Sequence, residues 1–374
     1  MSNSFNVVEI RQSALHHNYR LLKNRIGADT RFLAMVKANA YGHGMLETAR
    51  VLSAIGCSYF GVAETCEGIA LRSSGIQGEI FLFLGFDPAE ASLLFEYDLT
   101  PVLYNLECAR ALSIEAVRLN REINVHVKVD CGMTRLGVFP EELLQFVSTL
   151  KNMPGLVFAG IASHFPRADE AKSNHTKRQF SVFEQLFAAA ENEVKLIRHT
   201  ANSGGILYFS GTHCDMVRTG ISLYGYYPDG VTGIESELGE KLQPVMSFTT
   251  RVLQLKDVPA GKGISYGHTF ITNCETQIAV LPVGYGDGLS RSLSNKGEVL
   301  IHGKRAKIMG RICMNLCMVD VSHIEGVQVG DEVVLLGSQE EDTISGDEIA
   351  GWMDSISYEV LCLFGNNNER KYIE

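Results

Sequence analysis

No stretch of this chain offers the roughly 20 consecutive apolar residues that a membrane-spanning helix needs. The longest candidate, around Leu156–Ala162, is interrupted by glycine and preceded by proline. Residues 1–10 lack a basic region followed by an apolar one, so a secretory leader is not expected and a cytoplasmic location is. A basic run is missing too. Lys plus Arg number 33 against 43 Asp plus Glu, a formal charge of −10, which argues against a nucleic-acid binder. The nine cysteines are an odd, scattered set, which fits reduced thiols better than a disulfide framework. Cys313 and Cys317 lie four apart, but no second Cys/His pair has zinc-ligand spacing, so no metal is expected. Repeats, low-complexity tracts and long linkers are absent. What remains has 45% hydrophobic and 20% charged residues, the profile of a globular protein. Its 374 residues suggest two domains, or one large barrel with an appendage.

Residues 31–220 alternate apolar strand-like runs with helix-like segments. The runs span 31–37, 58–63, 79–85, 100–104, 123–130, 157–164, 195–200 and 214–218. Helical spacing is clear over 105–120, and over 177–190 where Phe180, Phe183, Leu186 and Phe187 recur on one face. Buried strands alternating with helices point to a parallel (β/α)8 barrel. After about residue 230 the pattern changes. Strand-like segments at 246–255, 277–283, 297–301, 306–309, 314–321 and 331–336 are separated by turn residues, and helix patterns almost vanish. This reads as a second, β-rich domain. The expected division is 11–229 for the barrel, and 1–10 plus 230–374 for the β-rich domain.

In a parallel barrel, chemistry collects at the C-terminal ends of the strands. Lys37 follows the apolar run Phe32-Leu-Ala-Met-Val36. A lysine there can be desolvated and used as a nucleophile, or it can simply reach solvent. The loop after it, Lys37-Ala-Asn-Ala-Tyr-Gly-His-Gly44, adds Tyr41 and two glycines that permit close backbone approach to a ligand. His164 ends another run. His199 lies near the end of a third and is followed by Ala201-Asn-Ser-Gly-Gly205, which can offer N–H groups and a hydroxyl to a phosphate. Arg218 ends the last run, before Thr219, Gly220 and Ile221. A lone histidine is most often structural; several reactive ends on one face are harder to dismiss.

The Lys37–Gly44 motif closely resembles the pyridoxal-phosphate attachment site of alanine racemases. The likeness continues through His126-Val-Lys-Val-Asp-Cys-Gly-Met-Thr-Arg-Leu-Gly137, Ala201-Asn-Ser203, Met216-Val-Arg-Thr-Gly-Ile-Ser-Leu-Tyr-Gly225, Ser265-Tyr-Gly267, Gly284-Tyr-Gly-Asp-Gly288 and Gly310-Arg-Ile-Cys-Met-Asn315. It implies a (β/α)8 barrel, a β-rich domain that also receives the first strand, and a homodimer with shared active sites. It also implies two-base racemisation of L- and D-alanine, supplying D-alanine for peptidoglycan.

Roles follow from the same resemblance. Lys37 would carry pyridoxal phosphate and act as the base on one face; Tyr266, from the partner chain, would act on the other. Arg218 would meet the pyridine nitrogen, with His164 beside it. Tyr41, Ser203, Gly220, Ile221 and Tyr358 would hold the phosphate. Arg135 and the Met314 N–H would bind the substrate carboxylate. Lys128 stands where many members carry a carbamylated lysine. Tyr285 and Tyr358 would narrow the entrance. Read without the resemblance, Tyr266 is a turn aromatic and Lys128 a structural lysine.

Two departures stand out. Asn315 replaces the Asp common in the family, and the C-terminus, Leu361-Cys-Leu-Phe-Gly-Asn-Asn-Asn-Glu-Arg-Lys-Tyr-Ile-Glu374, matches the usual Arg-Val-Pro-Arg ending poorly. The alternatives are a broad-specificity or serine-preferring racemase, a pyridoxal-phosphate carrier without turnover, and a barrel in which Lys37 is only structural.

Overall fold

Strands buried on both faces must be apolar throughout, and Arg31–Met35 is: after Arg31 every residue is buried. In the computed structural model, which describes residues 4–191, 195–230 and 239–374, this strand pairs in parallel with Tyr59–Val62 on one side and Met216–Thr219 on the other. Residues 1–3 and 231–238 of the expected β-rich domain lie outside the described residues. Glu79–Leu82, Leu99–Leu103, Ile123–Lys128, Leu156–Ala162 and Ile197–His199 complete an eight-stranded parallel sheet. Across its seam, Asp215 N–H donates to Arg198 O at 3.1 Å and Arg218 N–H to Ala201 O at 2.9 Å. This is the expected barrel, strand for strand.

The connecting helices end where their caps dictate. Asn105 Oδ1 accepts from Cys108 N–H at 2.8 Å to open Leu106–Leu119, and Asn120, left-handed at φ 51°, closes it. Cys108, Ala109, Leu112 and Ala116 form its buried face. The chain divides into two compact units: one of residues 16–40 and 45–242, holding the barrel, and one of residues 1–15, 41–44 and 243–374.

In the second unit Val7–Arg11 pairs antiparallel with Met246–Arg251 and parallel with Arg370–Ile373, so both ends of the chain enter one seven-stranded sheet. A three-stranded sheet joins Gln254–Val258, Thr276–Leu281 and Cys317–Asp320. The segment 246–255, expected as one strand, is two, Met246–Arg251 and Gln254–Val258, because Val252 and Leu253 bond elsewhere. The near-absence of helices is also corrected. Gly346–Met353 and Ser357–Asn367 are helices, the first capped by Ser345 Oγ accepting from Glu348 N–H at 3.1 Å. No helix among the described residues is long and apolar enough to cross a membrane.

Candidate active site

The barrel unit gathers cations at its strand ends. Lys37, Lys128, Arg135 and Arg218 all bear electrostatically on His164. Lys128 is 8% exposed, and its Nζ has no hydrogen-bond partner among the described residues. Burial, then Arg218, Arg135 and Lys37, push its amine down to about 8, with Asp130 opposing. Burial alone would raise the Asp130 carboxyl, but donors hold it low: the N–H groups of Gly132, Met133 and Thr134 reach Oδ1, and that of Arg135 reaches Oδ2, at 2.7–3.0 Å. Asp130 thereby shapes the loop that carries the exposed Arg135.

Arg218 is 5% exposed, and burial pushes it down to about 10, so it remains a cation at neutral pH. Its Nη1 donates to His199 O at 2.6 Å and meets His199 Nδ1 at 3.1 Å. Its Nη2 reaches Ser163 O at 2.6 Å, Thr200 O at 3.1 Å and His164 Nδ1 at 3.3 Å. No carboxylate meets it among the described residues. Arginine has donors only, so His164 must accept at Nδ1 and carry its own hydrogen on Nε2. Burial and the surrounding cations hold His164 well below its usual range, hence neutral. The Nε–H of Arg218 is the one guanidinium donor without a partner among the described residues.

Nearby, Ser203 Oγ accepts from Gly220 N–H at 3.1 Å and Ser222 N–H at 3.3 Å, which leaves its hydroxyl hydrogen free to donate outward. The Gly220 N–H is thereby committed to Ser203. Ile221 opens the turn Ile221–Tyr224, where a first N–H has no partner within the turn.

After Lys37 the chain does something no periodicity announces. Ala38, Asn39, Ala40 and Tyr41 all have φ between 51° and 56°, and Gly42 has 87°. They form a left-handed turn, which costs non-glycine residues roughly 1–2 kcal/mol each. Ala38 N–H donating to Glu67 Oε1 at 2.7 Å, and Met45 N–H to Asn39 Oδ1 at 2.9 Å, offset part of that strain. Close packing requires glycine at both Gly42 and Gly44. A Cβ at Gly42 would lie 2.3 Å from Leu361 O, and one at Gly44 would lie 1.8 Å from Tyr372 Oη. Tyr372 Oη donates to His43 O at 3.1 Å, so the divergent C-terminus secures the Tyr41–Gly44 segment.

The β-rich unit holds the remaining candidates. Tyr41 and Tyr358 lie with ring centroids 6.1 Å apart; burial, then Tyr358 and Cys362, push the Tyr41 hydroxyl far up, so it stays a donor. Tyr266 sits at the tip of a short hairpin, Gly263–Ile264 with Phe270–Ile271, behind a left-handed Ser265, and is 69% exposed. Ser265 Oγ donates to Arg311 O at 2.6 Å. Tyr285 N–H donates to Cys313 O at 3.1 Å and Gly286 N–H to Met314 O at 2.8 Å, which brings the Tyr266, Tyr285 and Met314 turns together. The Met314 N–H itself has no partner among the described residues. Asn315 Nδ2 donates to Asp287 Oδ2 at 3.3 Å.

The N-terminal domain model of alanine racemase matches residues 10–228, and its C-terminal domain model matches 245–372. The chain belongs to the alanine racemase family. The alanine racemase of Syntrophobacter fumaroxidans is 41% identical over 366 residues, covering 98% of this chain and 96% of that one. Among solved structures, the Clostridium difficile 630 alanine racemase has a TM-score of 0.92 at 33% identity, covering 100% of this chain and 97% of the other. An alanine racemase from Bartonella henselae with covalently bound pyridoxal phosphate has a TM-score of 0.90 at 29% identity, covering 99% and 100%.

In the structure Lys37, Lys128, Arg135 and Arg218 act electrostatically on His164, and Arg218 meets both His164 and His199; sequence reasoning had put the strand ends at Lys37, His164, His199 and Arg218 on one face, with Ser203 just after His199, and had added Lys128 and Arg135 from the family resemblance. It missed Asp130, Glu67 and His126, and gave His199 no role. A signal for His126 was present. His126, Lys128 and Asp130 are spaced two apart, so along a strand they share a face.

Proposed function

We propose that this chain interconverts L- and D-alanine with pyridoxal phosphate carried on Lys37, and that it works as a homodimer. When bound, that cofactor supplies an electron sink that makes the α-proton of an amino acid removable. Arg218 carries the reading: a buried cation gripped by carbonyls and imidazoles, with Nε–H as its uncommitted donor, suits a ring nitrogen that must accept and stay unprotonated. The Ser203 hydroxyl, the Ile221 N–H and the Tyr41 and Tyr358 hydroxyls would hold the phosphate, with Gly220 fixing Ser203. Arg135 and the Met314 N–H would hold the substrate carboxylate by charge-assisted and backbone hydrogen bonds.

Lys37 would move the α-proton on one face and Tyr266 of a second copy on the other. The exposure of Tyr266 supports that assignment, because a catalytic tyrosine needs a surface to pack against. Tyr285 and Tyr358 would narrow the entrance, where one extra methylene must find room. The nine cysteines are all free, which suits the cytoplasm, and the product would serve peptidoglycan synthesis.

Incubating the enzyme with L-alanine, L-serine and L-lysine, followed by chiral analysis, should give D-alanine fastest. Preferred turnover of serine or lysine would replace this reading with a broad-specificity racemase, and no turnover of any would leave a carrier. Borohydride reduction and peptide mapping should place the cofactor on Lys37.

Lys128 would be carbamylated: its neutral amine attacks carbon dioxide and loses a proton, giving an anion among Arg218, Arg135 and Lys37. The neutral form gains as pH rises through about 8. Carbon-13 NMR with labelled carbon dioxide should show a carbamate resonance that grows over that range and is missing in Lys128→Met. An identical signal in both proteins would reject the idea.

A further inference from the structure

Behind Arg218 lies a second layer of buried polar groups that the proposed chemistry does not use. His126, in the strand Ile123–Lys128, is 1% exposed. Its Nδ1 lies 2.9 Å from His199 Nε2, and His199 is fully buried. The hydrogens along this row can be assigned from one end. Arg218 only donates, so His199 accepts at Nδ1. His199 then carries its hydrogen on Nε2 and donates it to His126 Nδ1. His126 keeps its own hydrogen on Nε2. Burial above all keeps both rings neutral: it pushes His126 down to about 3, with Arg31 adding to the effect, and holds His199 well below its usual range, with Arg218 next.

The barrel wall is built around this ring. Pairing between Ile123–Lys128 and Leu156–Ala162 slips beside it, so Val125 faces Phe158 but His126 faces Gly160. Such a bulge re-aims a side chain. A Cβ at residue 160 would lie 2.4 Å from both Cε1 and Nδ1 of His126, so only glycine leaves room for the ring. Phe81 packs edge-on, with centroids 5.1 Å from His126 and 6.1 Å from His199. The slip and the glycine together seat an acceptor against His199, where a barrel interior ordinarily stacks branched apolar side chains.

We propose that His126 is a positioning residue: it locks His199 as the Nε2–H tautomer, so that His199 presents only an acceptor to Arg218 and the guanidinium is held with Nε–H uncommitted. The inference rests on the reading above, in which that donor faces the ring nitrogen of the cofactor. Without His126, the buried Nε2–H of His199 loses its acceptor. The alternative tautomer would set N–H against N–H at Arg218. An asparagine at 126 can place an oxygen near the position of Nδ1; a leucine cannot.

The test uses holoenzyme labelled with nitrogen-15 in histidine, and separately loaded with nitrogen-15 pyridoxal phosphate. Wild-type His199 should show a protonated Nε2 and a bare Nδ1. His126→Leu should disturb that pattern, shift the cofactor ring-nitrogen resonance, and lower kcat about ten- to a hundredfold, as a misplacement of about 1 Å can. The KM for alanine should change far less, and His126→Asn should restore all three readouts. A wild-type His199 protonated on Nδ1 overturns the proposal, and that measurement needs no variant if His126→Leu does not fold. So does a folded, loaded His126→Leu with unchanged spectra and kcat. If borohydride leaves no cofactor on Lys37, the functional reading fails instead, while the His199 tautomer in the cofactor-free chain still tests the lock.

Discussion

The barrel end and the tyrosine turns of the β-rich unit solve opposite problems. At the barrel end Arg218 is 5% exposed and grips two imidazoles and three carbonyls. Tyr266, Tyr285 and Met314 are 69%, 44% and 58% exposed, and backbone hydrogen bonds, with Ser265 Oγ–Arg311 O and Asn315 Nδ2–Asp287 Oδ2, gather their turns. Burial makes the first set rigid and electrostatically strong, because interior charges are poorly screened. Exposure leaves the second set to be ordered by whatever covers it. In the proposed reading, the buried cations form one half of the site, and exposed Tyr266 is offered to a second copy. Large exposed apolar side chains on one rim are what such a covering surface would use.

The largest expected effects separate the two regions directly. Lys37→Ala should reduce racemisation to background, since the amine proposed to carry the cofactor is gone. Tyr266→Phe should lower kcat about 10²–10⁴-fold, the usual cost of losing a general base. Because Tyr266 is exposed, its stability should stay within about 0.5 kcal/mol of the parent. Mixing the two inactive chains should restore activity if Tyr266 serves a second copy, since one site of the mixed dimer then carries both lesions and the other neither. Mixed chains that demonstrably exchange subunits yet stay inactive would place the whole site within one chain.

A smaller effect comes from the buried side. His126 is held near about 3 in the fold, against ~6.5 in an unfolded chain. Between those values the unfolded state binds the extra proton, so stability is present above ~6.5 and is lost as pH falls towards about 3. His199 acts with the same sign. Denaturant melts of wild type and His126→Asn across this range should differ in slope by about one proton, with the variant flatter. Parallel curves would mean that His126 is not buried neutral.

The same contrast governs what could be read from sequence. The eight barrel strands were legible because strands buried on both faces are continuous apolar runs, and their reactive ends stand where the runs stop. The C-terminal helices were missed because Gly346–Met353 is short and carries glycines at 346 and 351 that mask its period, while Ser357–Asn367 ends in Gly365, Asn366 and Asn367, which are poor helix formers. The left-handed turn at 38–42 leaves no periodic trace at all. The roles of Gly42 and Gly44 depend on Leu361 and Tyr372, which lie more than three hundred residues away along the chain. His126 was missed for another reason: its spacing of two from Lys128 puts it on the same strand face, but a buried histidine inside a strand looks like any core position until its neighbour His199 is known.

The smallest expected effect concerns Asn315, the departure on the exposed side. Its Nδ2 donates to Asp287 Oδ2 at 3.3 Å, and that same oxygen accepts from Gly284 N–H at 2.9 Å. Aspartate at 315 would remove the donor and set two carboxylates against each other. Asn315 is exposed and Asp287 half-buried, so solvent screens most of the repulsion. Asn315→Asp should cost about 0.2–1 kcal/mol at low salt, the scale of exposed charge pairs. At about 1 M salt, where the Debye length falls to roughly 3 Å, most of that loss should disappear. Thermal melts at both ionic strengths decide it: a loss that ignores salt would mean that the hydrogen bond, and not the charge, is what asparagine contributes.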